Sequence, residues 1–418
     1  MLPYRKRRVL LALVLLLMTF LIYKAFEFND NDFINRRAQL QDWGDNKSRK
    51  TRDYLDPDKK TALIIPKGFC QEKAFLIIAV ASKLENFKQR SIIRNTWGNT
   101  TDFNYPTFVK FHGYSVENYL PPLAEHMNLF KDYLEGRGEL MRLKVQLIFV
   151  VGRSQDKNST LFIKKEAEMH NDIIQEDFMD SYQNLTIKSV MILKHIATSC
   201  TNNSAFFLKC DDDSFVNIPN LLHYLLGGTI PLYQDTLEYY DHVSYTPMDR
   251  LIETQNLIMG HRFCMVLPSR DVSDKSYMPS SIYPFDVYPV YISGSGYLLS
   301  MDVVPKLYGI ALNMTFVPLE DIFITGICAE IAGIQRRHHP LFRFYSSEGV
   351  CSLKGSIVTH RVENWELAWS MLVLDSNITC QAIPLQQINW PPKWAKDKCN
   401  LNIFTQKLYY FMKYFKLQ

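Results

Sequence analysis

The 418-residue sequence has almost no net charge, no internal repeat and no low-complexity tract. Its formal charge of +4 is the balance of 47 basic and 43 acidic residues, and Arg5, Lys6, Arg7 and Arg8 account for all of it. The rest of the chain is neutral, which removes the electrostatic basis for binding nucleic acid. Hydrophobic residues make up 47% of the sequence, so a disordered chain, a collagen-like fibre and a small disulfide-only scaffold are excluded.

Cysteine is sparse and lacks the spacing of a metal site. None of the eight cysteines forms a Cys-x-x-Cys pair, which argues against a structural zinc site. In an oxidising compartment we expect them to form disulfides, although the sequence does not choose among the many pairings. Candidate N-glycosylation sequons favour the same compartment. They occur at Asn46, Asn99, Asn158, Asn184, Asn202, Asn313 and Asn377.

No apolar run long enough to span a membrane occurs beyond the first 28 residues. Residues 9–23 are uncharged and apolar, and with Lys24, whose stem can snorkel, a helix over 9–28 reaches about 30 Å. A cleaved signal peptide shares this pattern, but no small-x-small cleavage site follows. The positive-inside rule then predicts a single-pass type II protein. We expect a cytosolic tail (1–8), a transmembrane signal anchor (9–28), a polar lumenal stem (29–66) and a compact lumenal domain (67–418).

The compact domain alternates buried strands with helices. Continuous apolar runs over 75–81, 145–151 and 205–208 are typical of strands buried on both faces. Helices are predicted over 85–96, 159–170 with Ser159 as the cap, 185–200 and 218–226. This order predicts the α/β class, with a mostly parallel sheet covered by helices.

Three consecutive aspartates, Asp211 to Asp213, follow the third apolar run. In an extended chain Asp211 and Asp213 share a face while Asp212 points away. Carboxylates crowded at the mouth of a buried strand repel one another, so a hard divalent cation with open positions for phosphate oxygens would suit this place. The alternative is a solvated acidic turn that only caps the next helix.

Six motifs occur in the order found in one enzyme family. They are 90–98 (RSIIRNTWG), 149–152 (FVVG), the acidic and aromatic stretch 168–188, 209–213 (KCDDD), 288–297 (YPVYISGSGY) and 320–326 (EDIFITG). Over residues 75–360 the sequence resembles the β-1,3-glycosyltransferases of glycosyltransferase family 31, the Golgi galactosyltransferase and N-acetylglucosaminyltransferase group. The insertions at 99–143 and 228–260 and the segment after 368 depart from the family, so the resemblance does not specify an acceptor.

The resemblance implies a GT-A nucleotide-sugar-binding fold, a Golgi location and a divalent metal, usually Mn²⁺. It implies an inverting transfer of galactose from UDP-galactose to the 3-hydroxyl of a glycan on protein or lipid. The alternative is transfer of N-acetylglucosamine from UDP-N-acetylglucosamine. An alternative of another class is an inactive lumenal chaperone or glycan-binding protein, although such a protein would need no acidic cluster together with the Glu320–Asp321 pair. The oligomeric state stays open.

The resemblance also implies a metal site and a donor site. Asp213 would be the principal metal ligand, with Asp211 and His360 as further ligands, and His360 has the alternative of a structural histidine. Arg90, Arg94, Asp211 and Asp212 would bind the nucleotide diphosphate donor. Arg90 and Arg94 lie one helical turn apart, which suits either a diphosphate or, as the alternative, a structural ion pair.

Asp321 is the implied catalytic base, which would remove the proton of the acceptor hydroxyl. Glu320 and Asp321 open a helical run, so the positive helix N-terminus is expected to keep them ionised. Ordinary helix-start chemistry is the alternative. Contacts to the acceptor or sugar are implied for Glu320, Tyr291, Gly294 and Gly296, because the Ser-Gly-Ser-Gly turn lets a sugar or backbone approach closely. A plain turn and a packed tyrosine are the alternatives there.

Overall fold

A computed structural model describes residues 48–99, 107–113, 117–136, 141–154, 156–240, 245–345, 349–362, 380–387 and 399. The predicted tail (1–8), the predicted anchor (9–28) and the sequons Asn46 and Asn377 lie outside these residues. Among the helices in the described ranges, none combines the length and apolar character that crossing a bilayer requires. By internal contacts the chain divides into a larger unit, residues 50–266 with 288–418, and a smaller one, residues 1–49 with 267–287.

The strands of the larger unit are numbered in chain order. They are β1 Ala62–Ile64, β2 Ala74–Ala81, β3 Leu134–Glu135, β4 Arg142–Leu143, β5 Val145–Arg153, β6 Ile173–Met179, β7 Ser204–Asp211, β8 Ser214–Val216, β9 Ile258–Phe263, β10 Tyr291–Ser300, β11 Arg336–His338, β12 Phe342–Arg343 and β13 Val358–His360.

The α-helices are α1 Thr51–Tyr54, α2 Phe87–Asn95, α3 Thr107–His112, α4 Ala124–Leu129, α5 Lys157–His170, α6 Leu185–Ser199, α7 Ile218–Leu225, α8 Val303–Leu312, α9 Ala329–Ile331 and α10 Val350–Lys354. Short 3₁₀ turns cover Lys131–Tyr133, Gln234–Tyr239 and Leu385–Gln387. A π-helical turn covers Ile322–Cys328 and runs directly into α9.

The main sheet has eight strands in the order β1-β6-β5-β2-β7-β10-β9-β11. Its four central strands, β6, β5, β2 and β7, are mutually parallel. On either side β1 and β10 join antiparallel, and beyond β10 the strand β9 is antiparallel and β11 is parallel to β9. The predicted mostly parallel sheet is therefore found in the centre, whereas the sheet as a whole is mixed. A smaller sheet has the order β12-β13-β8.

Apolar burial explains why the central strands form where the sequence predicted them. All eight residues of β2 are buried, and the ring of Phe75 meets those of Phe130 and Phe206 edge-on at 5.1 and 5.3 Å. Helix α6 lies against β2 and β5, and every residue from 186 to 196 is buried. Fully apolar strands need such cover on both faces.

Three local expectations are refined. Helix α5 is capped by Asp156, whose carboxylate accepts from the backbone N–H groups of Asn158 and Ser159, rather than by Ser159. Within the predicted stem, residues 62–64 form β1, which pairs with β6. The three residues of β1 are too short an apolar run to predict a strand from the sequence. Six cysteines form the disulfides Cys70–Cys200, Cys264–Cys399 and Cys351–Cys380, while two, at 210 and 328, are free and buried.

The described part of the smaller unit that lies within 267–287 is organised around one side chain. The Arg270 guanidinium donates to the carbonyl oxygens of Met278, Tyr283 and Phe285 at 2.6, 3.0 and 2.9 Å. A backbone hydrogen bond from Met278 to Ser269 closes the same loop at 2.8 Å. The arginine therefore supplies the donors that this strand-poor segment needs.

Strand register sets the place of the candidate site. Ala81 at the end of β2 lies beside Asp211 at the end of β7, so the carboxyl ends of parallel strands meet at one edge, where α/β proteins bind ligands. The chain then turns into β8, and in the smaller sheet His360 of β13 pairs with Ser214 of β8. The backbone N–H of Arg361 donates to the carbonyl of Asp213 at 2.9 Å. This pairing brings the third predicted metal ligand to the acidic turn.

Candidate active site

Asp211, Asp213 and His360 form one cluster at the sheet edge, here called the triad. Each offers one ligand atom, and these atoms all lie within 4.8 Å of one another. His360 Nε2 is 3.1 Å from Asp213 Oδ1. The side chains of Asp211 and Asp213 are 29% and 49% exposed, so one side of the cluster is open to a ligand. The predicted metal ligands are thus brought together.

The orientation of the His360 ring suits a ligand of a cation. Its Nδ1–H donates to the carbonyl oxygen of Phe344 at 3.0 Å, which leaves Nε2 to face Asp213 and, once deprotonated, to ligate. Burial alone would lower the pKa of His360, but the Asp213 carboxylate raises it overall. Conversely, burial would raise the pKa of Asp213, but the bond from His360 lowers it overall. Two carboxylates and an imidazole fit a divalent ion such as Mn²⁺.

Asp212 points away from the triad, as strand alternation predicts. Its Oδ2 accepts hydrogen bonds from Ser82 Oγ and Asn86 Nδ2, both at 2.7 Å. Burial raises the pKa of Asp212 although these donors oppose the rise. The carboxylate links the end of β7 to the segment after β2. A contact between Asp212 and a donor stays a prediction.

Glu320 and Asp321 lie next to Gly294, which belongs to the Ser-Gly-Ser-Gly segment of β10. Asp321 Oδ2 accepts from the backbone N–H of Gly294 at 3.1 Å, and its Oδ1 accepts from Ile322 N–H at 2.9 Å. Burial first, and then the neighbouring Glu320, raise the pKa of Asp321 to about 7 despite these donors. Burial also raises the pKa of Glu320, which is 3% exposed.

These pKa directions correct one expectation. The N–H groups at the start of the π-helical turn do favour the ionised form of Asp321, but the desolvation that burial causes is the larger effect. A carboxyl group with a pKa near 7 is half-protonated at neutral pH. That is the range in which a general base works best.

Lys209 joins the triad to the Glu320–Asp321 side. The fully buried ammonium donates to Asp211 Oδ1 at 2.8 Å, to Glu320 Oε1 at 2.6 Å and to the carbonyl of Gly294 at 2.9 Å. Sequence reasoning gave Lys209 no role. The strand alternation that puts Asp211 and Asp213 on one face puts residue 209 on the same face. This alternation could have predicted that Lys209 lies at the site.

Two glycines of β10 are required by close approach. A Cβ added at Gly294 would lie 2.8 Å from Glu320 Oε1, and one at Gly296 would lie 2.8 Å from Val358 Cγ1. The Ser-Gly-Ser-Gly segment, predicted as a tight turn, is thus part of a strand. Its glycines leave space for Glu320 and for Val358 of β13. Tyr291 is buried, and its ring centroid lies 5.3 Å from that of Phe263. Sugar contacts of these residues stay predictions.

Arg90 and Arg94 form a second charged cluster, here called the arginine cluster, with Glu166 and Asp172. Arg90 is fully buried and pairs with both oxygens of Glu166 at 2.9 and 2.8 Å. Arg94 pairs with both oxygens of Asp172 at 2.7 and 2.9 Å and with Glu166 at 2.8 Å.

The remaining donors of Arg90 are also used inside the protein. Its Nη1 donates to Ser82 Oγ and the Lys83 carbonyl, and its Nη2 donates to the Leu84 carbonyl. This geometry matches the alternative of a structural ion pair that the sequence left open. A direct donor contact of either arginine stays a prediction.

The described sequons differ in accessibility. Asn158, Asn202 and Asn313 are exposed, whereas Asn99 and Asn184 are partly buried. Nδ2 of Asn184 donates to the Met179 carbonyl at 2.7 Å. Glycosylation of each stays a prediction.

Comparisons with known proteins find one matching family model and several similar glycosyltransferases. The galactosyltransferase family model matches residues 134–340. The beta-1,3-galactosyltransferase 1 of Mus musculus is 26% identical over 330 residues, which is 78% of this chain and 82% of that protein. The human N-acetyllactosaminide beta-1,3-N-acetylglucosaminyltransferase 4 is 26% identical over 333 residues, 78% of this chain and 71% of that protein.

Two further matches are more limited. The Danio rerio lactosylceramide 1,3-N-acetyl-beta-D-glucosaminyltransferase A is 29% identical over 294 residues, 69% of this chain and 62% of that protein. Among solved structures, the apo form of mouse xyloside xylosyltransferase 1 matches with a TM-score of 0.25 and 10% identity, covering 69% of this chain and 97% of that one. With so low a TM-score, we take neither fold nor function from that structure.

Proposed function

Because the chain is a glycosyltransferase of the galactosyltransferase family, we propose that it moves galactose from UDP-galactose to the 3-hydroxyl of an acceptor glycan. The transfer inverts the anomeric carbon and depends on a divalent cation, Mn²⁺ in the first instance. The acceptor glycan is carried by a protein or a lipid. The names of the mouse and human relatives reported above both specify a beta-1,3 linkage.

One arrangement carries the proposal: an open acidic triad and a buried carboxyl group with a pKa of about 7, joined through Lys209. The triad offers oxygen and imidazole ligands with one side exposed, which fits a cation that also contacts phosphate. The Glu320–Asp321 side offers an acceptor for a proton. A protein that only bound glycans would need neither in this combination.

The triad residues Asp211, Asp213 and His360 would hold the cation, which when bound would offset the negative charge on the pyrophosphate of the departing UDP. Asp321 takes the proton from the acceptor 3-hydroxyl. As that oxygen bonds to the anomeric carbon, the bond from this carbon to the phosphate oxygen breaks and its electron pair leaves with UDP. Gly294 N–H and Ile322 N–H hold the two carboxylate oxygens of Asp321 during this step.

We further propose a GT-A nucleotide-sugar fold and a type II arrangement in the Golgi membrane, with residues 9–28 as the anchor and the described residues in the lumen. The parallel centre of the sheet, with the acidic turn at its carboxyl edge, supports the fold proposal. The disulfides support an oxidising compartment.

UDP-N-acetylglucosamine is the second candidate donor. The observation that favours it is that two of the relatives reported above are named as N-acetylglucosaminyltransferases. Donor choice is therefore one arm of the test. The full-length protein in detergent is incubated with labelled UDP-galactose or UDP-N-acetylglucosamine across a glycan array, with and without Mn²⁺.

The mechanistic arm of the test replaces the proposed base. Asp321→Asn keeps the size of the side chain but cannot accept a proton at neutral pH, so transfer should fall by about 10²- to 10⁴-fold while UDP and Mn²⁺ still bind. Asp156→Asn is the matched control, because asparagine caps a helix as well as aspartate. Unchanged turnover of Asp321→Asn would overturn the base assignment, and no transfer by the wild type with any donor would overturn the enzyme proposal.

A further inference from the structure

Lys209 lies between the two halves of the candidate site and is completely enclosed. Its ammonium has three protons, and the structure gives each an acceptor: Asp211 Oδ1, Glu320 Oε1 and the carbonyl of Gly294. No donor capacity is left for a substrate. The side chain is thus saturated by the protein.

Each of the three acceptors belongs to a different part of the site. Asp211 is a triad member, and Glu320 directly precedes the proposed base. Gly294 is held at its carbonyl by Lys209 and at its N–H by Asp321 Oδ2, at 2.9 and 3.1 Å. Lys209 therefore holds the carbonyl of the residue whose N–H orients Asp321 and, with the same ammonium, a carboxylate of the triad.

We propose that Lys209 is a positioning residue that sets the placement of the base relative to the cation-binding triad. This inference rests on the proposed function. In this role Lys209 affects the alignment of the reacting groups, since it touches neither donor nor acceptor. A displacement of about 1 Å between such groups can cost about 100-fold in rate.

A simpler role would be that of a counter-ion for a buried carboxylate. Glu320 is 3% exposed and needs a partner, because an unpaired buried charge is strongly destabilising. A counter-ion role fixes one of the three acceptors, Glu320, and leaves open which groups take the other two protons of the ammonium. In this structure these groups are Asp211 and the carbonyl of Gly294, and their two bonds tie the triad to the base.

The decisive variant is Lys209→Met, which keeps an unbranched side chain as far as the ε carbon and removes the ammonium with its charge and donors. We expect kcat per UDP-binding site to fall at least 100-fold, while the KM for UDP-sugar and the Mn²⁺ affinity stay within about threefold. Calorimetric titration with UDP and Mn²⁺ counts the formed sites, so a partly unfolded preparation is corrected for. Lys194→Met is the matched control: Lys194 is also buried and donates to the Asp56 and Lys59 carbonyls, and its loss should leave kcat unchanged.

A second variant keeps the inference testable if Lys209→Met folds poorly. Lys209→Met combined with Glu320→Gln removes the cation and its buried anion together, so thermal stability should return towards that of the wild type. If Lys209 is a positioning residue, the kcat of this double variant stays at least 100-fold below that of the wild type. Recovery of wild-type kcat, or unchanged kcat in Lys209→Met, would overturn the inference. A wild type that transfers no sugar would instead overturn the proposed function.

Discussion

Two charged clusters lie near the same edge of the main sheet, and they differ in whether their charges are matched. In the arginine cluster two guanidinium groups, Arg90 and Arg94, face two carboxylates, Glu166 and Asp172, so its formal charge is zero. The side chains of Arg90 and Glu166 are 0% and 11% exposed. Every strong interaction of this cluster is made inside the protein.

The triad side has the opposite character. Lys209 pairs with Asp211 and Glu320, and His360 pairs with Asp213, so in the part of the chain that the structure describes three carboxylates face one ammonium and one imidazole. Two of these carboxylates are open to solvent. An excess of negative charge on an exposed face attracts a cation, whereas a closed and neutral cluster attracts nothing.

The contrast shows that a charged motif has two uses that look alike in sequence. A matched, buried cluster fixes one arrangement of the chain, and breaking it leaves an uncompensated charge. An unmatched, open cluster is completed by a ligand. Sequence reasoning gave donor contacts to residues of both clusters, and the fold separates them.

The largest effect is expected from Asp213→Ala, which removes a ligand from the open cluster. Transfer should fall by about 10³-fold, because a bound metal ion contributes several kcal/mol of charge stabilisation, and the residual activity should no longer respond to Mn²⁺. Melting temperature should change little, since this side chain is 49% exposed. Initial rates over a Mn²⁺ titration measure the effect.

Asp132→Ala is the control for that experiment. Asp132 is 64% exposed and pairs with Lys73 at 3.3 Å, and an exposed pair of this kind contributes at most about 1 kcal/mol. Its transfer rate should equal that of the wild type. If Asp213→Ala also kept its rate and its Mn²⁺ response, the open cluster would not be the metal site.

The closed cluster should respond in stability rather than in ligand binding. Arg90→Met leaves Glu166 without its fully buried partner, and we expect the free energy of unfolding to fall by about 3–5 kcal/mol. UDP binding by the folded fraction should be unchanged. Urea unfolding, followed alongside UDP calorimetry, measures both quantities.

Arg52→Met is the comparison variant. Arg52 donates to Asn313 at 3.2 Å on the surface, so its loss should change stability by no more than about 0.5 kcal/mol. Weaker UDP binding in Arg90→Met at unchanged stability would contradict the assignment of this cluster as closed, and would return Arg90 to the donor site.

Burial of the proposed base gives transfer a pH dependence. The pKa of Asp321 is raised to about 7, and the base must be ionised, so kcat/KM should fall about tenfold per pH unit below 7. Rates are measured at saturating Mn²⁺, because protonation of His360 also opposes cation binding in this range. A profile that is flat from pH 5 to 8 would rule out Asp321 as the titrating base.

The same shift has a stability consequence of defined sign. A carboxyl group whose folded-state pKa is raised stabilises the fold most when it is protonated, so this contribution is lost as pH rises from about 4 to 7. At about 1.4 kcal/mol per unit, the shift sets an upper bound of about 4 kcal/mol. Asp321→Asn removes the dependence, so its unfolding free energy relative to the wild type should rise with pH over that interval.

Local pattern was enough to predict the centre of the fold and the core of the triad. The apolar runs of β2, β5 and β7 became the parallel centre of the sheet. Alternation along an extended chain separated Asp212 from its neighbours, as the hydrogen bonds to Ser82 and Asn86 show. These features depend on residues a few positions apart, where the geometry of a strand is fixed.

What failed to follow from the sequence depends on distant partners. Glu166 lies 76 residues from Arg90, and Asp172 lies 78 residues from Arg94, so no local pattern says whether the arginines are matched. The raised pKa of Asp321 likewise comes from burial in the assembled fold. A helix N-terminus can be read locally, but the desolvation that outweighs it cannot.

The smallest effect expected tests how closed the arginine cluster is. Arg94→Lys keeps the charge but loses the two-pronged contact with Asp172 and the stacking of the guanidinium over Phe149, whose centroid is 4.6 Å away. The side chain of Arg94 is 12% exposed, so solvent compensates in part. We expect a loss of about 1 kcal/mol in unfolding free energy, less than for Arg90→Met, with unchanged UDP affinity. A loss of unfolding free energy as large as that of Arg90→Met would contradict this expectation. It would mean that solvent does not compensate for the lost contacts of Arg94, and that Arg94 behaves as a fully buried residue like Arg90.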